Sequence, residues 1–201
     1  MTADKGGHAM RVISGTRKGQ PLKAVPGTNT RPTTDKVKES IFNRIGPYFA
    51  SGRGLDLYAG SGGLGIEAIS RGLEHMIFID SSRQALQTLR SNLKACRFED
   101  QSEVYKNDSH RALKALAKRH AAFDVIFLDP PYASQKLAQE IELFLEYELL
   151  NPGCLIVCEH DANVQLPAKI KNVVMEHEDK YGDTKVSIFS YLGLQQNNEE
   201  E

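Results

Sequence analysis

Residues 123–132 read FDVIFLDPPY, in which the mainly apolar run FDVIFL leads directly into the rigid turn DPPY. The run has the length and the Val, Ile and Phe content of a β-strand that is covered on both faces, as the strands of parallel sheets are. Ligands of open α/β sheets bind just beyond the carboxyl ends of such strands. The turn is therefore predicted to be a binding or catalytic site.

The turn offers hydrogen-bond acceptors and an aromatic face. Pro130 forces Asp129 into an extended conformation, and Pro130 and Pro131 both lack an N–H donor. The Asp129 carboxylate, the backbone carbonyls and the Tyr132 ring remain. These groups suit a planar ligand that carries an exocyclic amine, such as the edge of a nucleobase.

Strand-like and helix-like segments alternate over residues 54–158, which predicts an α/β fold with a parallel sheet and crossover helices. A helix with Thr33 or Thr34 as its N-cap is predicted to precede them. Residues 171–176 and 185–191 form two further strand-like segments that are too close in sequence for a crossover. The last strand is therefore predicted to run antiparallel to its neighbours.

The chain length of 201 residues suits one substantial domain with a small appendage. Residues 1–9 show no periodicity and are interpreted as a tag or a disordered leader. We expect a basic β-hairpin extension over residues 10–30, the main domain over residues 31–194, and a disordered tail over residues 195–201.

The composition is that of an ordinary globular protein, with 40% hydrophobic and 25% charged residues and no apolar run long enough to span a bilayer. We therefore expect a cytoplasmic protein without membrane partners, and a monomer because no coiled-coil pattern is evident. Cys96, Cys154 and Cys158 are expected to be reduced thiols. Cys154 and Cys158 could hold a metal with His160, but the sequence has no second ligand cluster, so no metal is predicted.

Basic residues are concentrated near the N-terminus. Residues 10–53 contain nine Lys and Arg residues against two acidic ones, whereas the whole chain has a net charge of −1. This pattern favours a surface that faces a polyanion, although a solvated charged face would show the same pattern.

A glycine-rich loop follows the first strand of the alternating region. Gly60, Gly62 and Gly65 match G-x-G-x-x-G, and Asp80 lies twenty residues after Gly60, where a ribose-binding acid is expected. The pattern alone leaves a nicotinamide-dependent enzyme open. Against it, Asp56 inside the preceding strand suits an ammonium group better than a pyrophosphate. Hydride transfer also does not require a rigid turn of hydrogen-bond acceptors such as DPPY.

S-adenosylmethionine has a cationic amino-acid end, a ribose and an adenine, and it fits all of these acids at once. The glycines let the backbone approach it closely, Asp80 can accept from both ribose hydroxyls, and Asn107 with Asp108 can meet the adenine edge. Each acid alone is as readily a strand-end or helix-capping residue. Three predicted strands that end in acids at one sheet edge favour the cofactor.

These motifs resemble those of known enzymes. D-x-YAGSG at residues 56–62, together with DPPY at residues 129–132, resembles class I S-adenosylmethionine-dependent methyltransferases that act on exocyclic amines of bases. MRVISG at residues 10–15 and TRPTTDKVKESIFN at residues 30–43 are similar to the RsmD family, which methylates guanine N2 in small-subunit (16S) ribosomal RNA. The resemblance extends over about residues 10–192.

The resemblance implies a Rossmann-like sheet of seven strands in the order 3-2-1-4-5-7-6, with strand 7 antiparallel. It also implies S-adenosylmethionine as cofactor and N2 methylation of one guanine in an assembled or partly assembled small ribosomal subunit. Because adenine and cytosine amino-methyltransferases share the DPPY turn, an adenine-N6 methyltransferase stays an alternative. A non-catalytic module that senses the cofactor and binds RNA is a second alternative.

Three groups of site residues are predicted from the motifs and the resemblance. The catalytic group, in which the carboxylate and the first proline carbonyl would accept from the guanine amine and the ring would stack on the base, is Asp129, Pro130, Pro131 and Tyr132. The cofactor group is Asp56, Tyr58, Ala59, Gly60, Ser61, Gly62, Asp80, Ser81, Asn107, Asp108 and Asp129. The RNA group is Arg11, Arg17, Lys18, Lys23, Arg31, Thr33, Lys36, Lys38 and Tyr132.

Overall fold

In the computed structural model, which describes residues 10–27, 34–131 and 136–193, eight strands form a single sheet. The strands are β1 (Arg53–Asp56), β2 (His75–Asp80), β3 (Ser102–Lys106), β4 (Phe123–Leu128), β5 (Leu150–Asp161), β6 (Lys169–Ile170), β7 (Val173–Tyr181) and β8 (Thr184–Tyr191). The α-helices in these ranges are α1 (Asp35–Ile45), α2 (Gly63–Ser70), α3 (Arg83–Cys96), α4 (Ser109–Lys118) and α5 (Leu137–Glu146). The predicted leader and tail lie outside the described residues.

The strand order is β3-β2-β1-β4-β5-β8-β7-β6. Strands β1 to β5 pair in parallel, and β8 runs antiparallel to both β5 and β7. The α/β class and the antiparallel strand are therefore confirmed. The predicted count of seven is one too low, because the two-residue strand β6 at the sheet edge is too short to leave a periodic pattern in the sequence.

The sheet is covered on both faces. Val125 and Phe127 of β4 face a core formed with α1, α2 and α3, which we call the α1–α3 face. Ile126 and Leu128 face a second core formed with α4 and α5. All four side chains are at most 1% exposed, which confirms the prediction of a doubly covered strand. None of the described helices has the length and apolar character that crossing a membrane requires.

Helix α1 begins and ends where its sequence signals predict. The Thr34 side chain accepts a hydrogen bond from the Val37 N–H at 3.4 Å, and Gly46 follows the last turn with a φ of 110°. The helix packs its buried side chains on the α1–α3 face. These side chains are Val37, Lys38, Ile41, Phe42 and Ile45.

Residues 10–22 fold back on themselves as a tight hairpin. The Val12 N–H donates to the Gln20 carbonyl at 3.0 Å, and the Leu22 N–H donates to the Met10 carbonyl at 2.8 Å. The turn packs closely on α2, because a Cβ added at Gly15 would lie 1.7 Å from the Ser70 carbonyl oxygen. The hairpin is therefore fastened to the main domain.

The side chain of Glu67 in α2 binds the hairpin to the main domain. Its carboxylate is fully buried and accepts from the N–H groups of Ile13 at 2.7 Å and Ser14 at 2.9 Å. Arg71 Nε donates to the same carboxylate at 2.7 Å, and Lys38 Nζ lies 3.9 Å away. Because two cations and two backbone donors compensate one buried anion, removing its charge would leave several partners unsatisfied.

We expect Glu67→Gln to lower the free energy of unfolding by about 3 kcal/mol, because it leaves buried cations without their counter-charge. Urea unfolding followed by circular dichroism measures this change. The matched control is Glu142→Gln on the exposed side of α5, which should change the free energy by less than about 0.5 kcal/mol. If Glu67→Gln lowered the free energy of unfolding by no more than the control does, this carboxylate would not anchor the hairpin.

Candidate active site

The carboxyl ends of β1, β4 and β5 carry three acids at one edge of the sheet. Leu128 of β4 pairs in register with Cys158 of β5, so Asp129 and Glu159 follow at the same level of adjacent strands. Asp56, the last residue of β1, pairs with Phe127 and shares its face of the sheet. Asp56 and Glu159 therefore lie on the α1–α3 face, by the alternation of side chains along a strand, and Asp129 lies close enough to both for their charges to affect it.

Asp56 is buried, with 3% of its surface exposed. Its carboxylate accepts hydrogen bonds from the backbone N–H groups of Gly65 and Tyr58. Removal from water raises the pKa of Asp56 to about 7, and the negative charge of Asp80 adds to this effect while the two hydrogen bonds oppose it. The Asp56 carboxylate thus holds the backbone of the glycine loop. A cation bound beside it would stabilise its charged form.

The glycine loop adopts the conformation that a close ligand requires. Gly60 and Gly62 have φ values of 53° and 86°, which favour glycine. A Cβ at Gly60 would meet nothing within 4 Å, so the backbone borders open space there. A Cβ at Gly62 would lie 2.3 Å from a methyl carbon of Leu89, and one at Gly65 would lie 2.3 Å from the ring of Phe78. Gly62 and Gly65 therefore serve packing, and Gly60 leaves room for a ligand.

Asp80 holds the rim of this loop. Its carboxylate accepts from the Gly60 N–H at 2.8 Å and from the Ser82 N–H at 2.7 Å. Ser81 lies exposed in the same turn. A carboxylate has about four acceptor positions, so Asp80 can hold these two donors and still accept from a ligand hydroxyl.

The ends of β1 and β3 contribute polar groups that are partly engaged within the protein. The Tyr58 hydroxyl bonds to Glu140, and burial together with that carboxylate raises the pKa of Tyr58. Asp108 caps α4 by accepting from the Arg111 N–H at 3.0 Å, and the Asn107 side-chain oxygen accepts from the Asp108 N–H at 3.0 Å. The contacts of these residues with a cofactor stay predictions.

The backbone of the loop is tied to the strands and to α3. The N–H of the buried Ala59 donates to the Ile79 carbonyl at 2.9 Å. The Ser61 carbonyl accepts from the side chain of Asn92 on α3 at 2.9 Å. These two bonds hold the loop in place. Neither of them involves the N–H of Ser61 or fills the open space beside Gly60.

Asp129 lies at the centre of the site. The residue is exposed, but protein surrounds its carboxyl group closely enough that removal from water raises its pKa well above the usual range. The negative charges of Glu159 and Asp56 raise this pKa further. Pro130 is buried and Pro131 is exposed, whereas Tyr132 lies outside the described residues.

The predicted RNA group divides into buried and exposed residues. Lys38 was predicted to contact RNA, and this is wrong, because it is 1% exposed and its Nζ donates to the Arg11 carbonyl at 2.5 Å. Burial lowers the pKa of Lys38, against the opposing effect of Glu67. The Arg17 Nε donates to the Cys96 carbonyl at 2.6 Å, so one of its five N–H donors is used within the domain.

The other members of this group are at the surface or outside the described residues. Arg11 pairs with Asp35 at 2.8 Å, and Lys23 Nζ donates to the Ser91 hydroxyl at 3.1 Å. Lys18 and Lys36 are exposed. The remaining three, which lie outside the described residues, are Arg31, Thr33 and Tyr132.

Glu159 is the site residue that sequence reasoning missed. It is 8% exposed and follows a buried strand, and its position beside Asp129 depends on the register of β4 and β5. An acid directly after an apolar strand run was the available signal. Among the described residues, no group of three His, Cys, Asp or Glu side chains is arranged to hold a metal ion.

The comparisons with known proteins agree on one family. Residues 10–190 match the family model described as "Conserved hypothetical protein 95". "Putative rRNA methyltransferase YlbH" of Bacillus subtilis is 58% identical over 92% of this chain and 100% of its own length. "Ribosomal RNA small subunit methyltransferase D" of Haemophilus influenzae is 35% identical over 78% of this chain and 81% of its own length.

A solved structure gives the same result for the fold. A conserved hypothetical protein of Streptococcus pyogenes has a TM-score of 0.73 and 39% identity, over 77% of this chain and 94% of its own. Solved structures named putative methyltransferase and putative methylase share this fold, which confirms the expected Rossmann-like methyltransferase fold. The chain belongs to the RsmD family, whose relatives are named ribosomal RNA small subunit methyltransferases.

Proposed function

We propose that this protein transfers a methyl group from S-adenosylmethionine to the exocyclic N2 amine of a specific guanine in small-subunit ribosomal RNA. The observation that carries the proposal is the position of Asp129 and Pro130 at the end of β4, directly beside the glycine loop that follows β1. The names of the relatives support the ribosomal substrate. We further propose that the protein acts in the cytoplasm, as a monomer, on an assembled or partly assembled subunit.

The residues around the glycine loop fit S-adenosylmethionine. Asp56 would hold the ammonium group, Asp80 the ribose hydroxyls, and Asn107 with Asp108 the adenine edge. Gly60 leaves the space through which the loop backbone can approach the ligand. The bound cofactor supplies a methyl group on a positively charged sulfur, which leaves as a neutral thioether. The acidic edge of the sheet suits this cation better than it suits the pyrophosphate of a nicotinamide cofactor.

The guanine N2 amine is a poor nucleophile because its lone pair is delocalised into the ring. The Asp129 carboxylate and the Pro130 carbonyl would accept hydrogen bonds from its two hydrogens and so localise the lone pair on nitrogen. The N2–carbon bond forms while the carbon–sulfur bond breaks, and the surplus N2 proton leaves to Asp129 or to water. A raised pKa equips Asp129 to accept that proton.

Positioning supplies a large part of the rate in such a site, up to about 7–11 kcal/mol of the barrier. Pro130 is buried and fixes the direction of the chain at the reacting amine. The guanine must be unpaired or flipped to reach it, and stacking on Tyr132 would offset about 1–3 kcal/mol of that cost. The exposed Lys18 and Lys36 are the best remaining candidates for phosphate contacts.

The proposed reaction is tested with labelled S-adenosylmethionine and small ribosomal subunits from cells that lack the endogenous enzyme. The wild type should form N2-methylguanosine, and Asp129→Asn should reduce the rate at least about 100-fold, because the amide presents a donor to the amine in one orientation and carries no charge. Nucleoside analysis by mass spectrometry identifies the product.

The control for this experiment is Glu142→Gln, which should retain the wild-type rate because its side chain lies on the exposed side of α5. N6-methyladenosine as the product would transfer the assignment to the adenine-N6 alternative. Cofactor binding without any labelled nucleoside, on subunits, free RNA and DNA alike, would favour the non-catalytic module.

Cofactor affinity should depend on pH through Asp56. With its pKa raised to about 7, this group is mostly protonated at low pH in the free protein, and an ammonium group binds the carboxylate form. We expect the affinity for S-adenosylhomocysteine, which keeps the amino-acid end, to rise about tenfold from pH 6 to pH 8 by linkage. Isothermal titration calorimetry measures this change.

Asp56→Asn should bind S-adenosylhomocysteine more weakly and lose most of this dependence on pH. If the wild type binds equally well at both pH values, the ammonium group does not lie against Asp56.

A further inference from the structure

Glu159 is a buried acid that the proposed reaction does not use. It lies in β5, pairs with Val186 of β8, and is 8% exposed. The residue before it pairs with Leu128, so Glu159 lies beside Asp129 on the adjacent strand. Val157, two residues earlier, belongs to the core of the α1–α3 face, and Glu159 points to that same face.

The two carboxyl groups are close enough to influence each other. The negative charge of Glu159 raises the pKa of Asp129, and its effect ranks above that of Asp56. Neighbouring strands run about 4.8 Å apart. A carboxylate on each strand can therefore reach two adjacent nitrogens on the edge of one base.

Guanine and adenine differ at the position where a second acceptor would act. Guanine presents N1–H beside its N2 amine, so its Watson–Crick edge carries adjacent donors. Adenine presents an unprotonated N1, whose lone pair would face an ionised carboxylate. Ionised carboxylates accept and do not donate, so a pair of them in the ionised form matches guanine and repels adenine.

We propose that the Glu159 carboxylate accepts the N1–H of the target guanine and thereby makes this base the preferred substrate. The inference rests on the proposed function, since it takes Asp129 as the acceptor for the N2 amine. Glu159 is then a specificity-determining residue. Sites that hydrogen-bond a substrate group discriminate strongly against analogues that lack it, because a buried polar group of the protein is left unpaired.

The test uses 2-aminopurine, which keeps the amine at C2 but has an unprotonated N1. A ligated small-subunit RNA that carries 2-aminopurine at the modified position is assembled into subunits. The wild type should methylate it at least about 100-fold more slowly than the guanosine substrate. A 6-thioguanosine substrate keeps N1–H and the N2 amine, so it should remain active and control for the lost O6.

Glu159→Gln provides the compensating change, because its amide N–H can donate to the unprotonated N1. This variant should lose about 100-fold on guanosine and gain about tenfold over the wild type on 2-aminopurine. Fluorescence of the 2-aminopurine, titrated in the presence of S-adenosylhomocysteine, reports entry of the base without turnover. This fluorescence should change when the Glu159→Gln variant is added and stay unchanged when the wild type is added. Glu142→Gln should behave as the wild type on both substrates.

Two results would overturn the base contact. One is a wild type that methylates 2-aminopurine within about tenfold of guanosine, a comparison that stands even if Glu159→Gln does not fold. The other is a folded Glu159→Gln that loses guanosine activity without gaining 2-aminopurine, which would leave Glu159 as a positioning residue for Asp129. Failure of the proposed function would look different, because the wild type would then form no N2-methylguanosine on unmodified subunits.

Discussion

The parallel pairing of β4 with β1 and β5 brings three carboxyl groups to one edge of the sheet. Without a cation beside them these carboxyl groups are unfavourable in their charged forms, because removal from water and repulsion by neighbouring acids raise the pKa values of Asp56 and Asp129. For Asp56, a pKa raised from 3.8 to about 7 corresponds to roughly 4 kcal/mol against the charged form. A cationic ligand and an amine donor relieve that repulsion. The register of the strands, which brings the acids together, therefore favours binding of such ligands.

Side-chain hydrogen bonds connect the basic N-terminal hairpin to the main domain and to the glycine loop. Glu67 binds the backbone of the hairpin, and Asn92 of α3 joins its far end to the glycine loop. The Asn92 side chain accepts from the Lys23 N–H at 2.8 Å and donates to the carbonyls of Lys23 and Ser61, both at 2.9 Å. The surface that would meet RNA is therefore held in a fixed relation to the loop that would hold the cofactor.

Local patterns were sufficient for much of the fold. The apolar run of β4, the alternation of strands and helices and the N-cap of α1 all follow from neighbouring residues, and the strand order came from the family resemblance. Burial of Lys38 depends on Glu67, which is distant in sequence, although its helical spacing to Phe42 put it on the buried stripe. Glu159 needed the register between two strands, and single-sequence patterns do not contain register.

The central claim is that the acids at the end of β4 receive the amine of a guanine. The most direct measurement is a crystal structure of the complex with S-adenosylhomocysteine and an RNA that contains the target guanosine. The account predicts that N2 of the guanine lies about 3 Å from both the Asp129 carboxylate and the Pro130 carbonyl. A guanine whose N2 points away from both groups, or another base in that position, would contradict it.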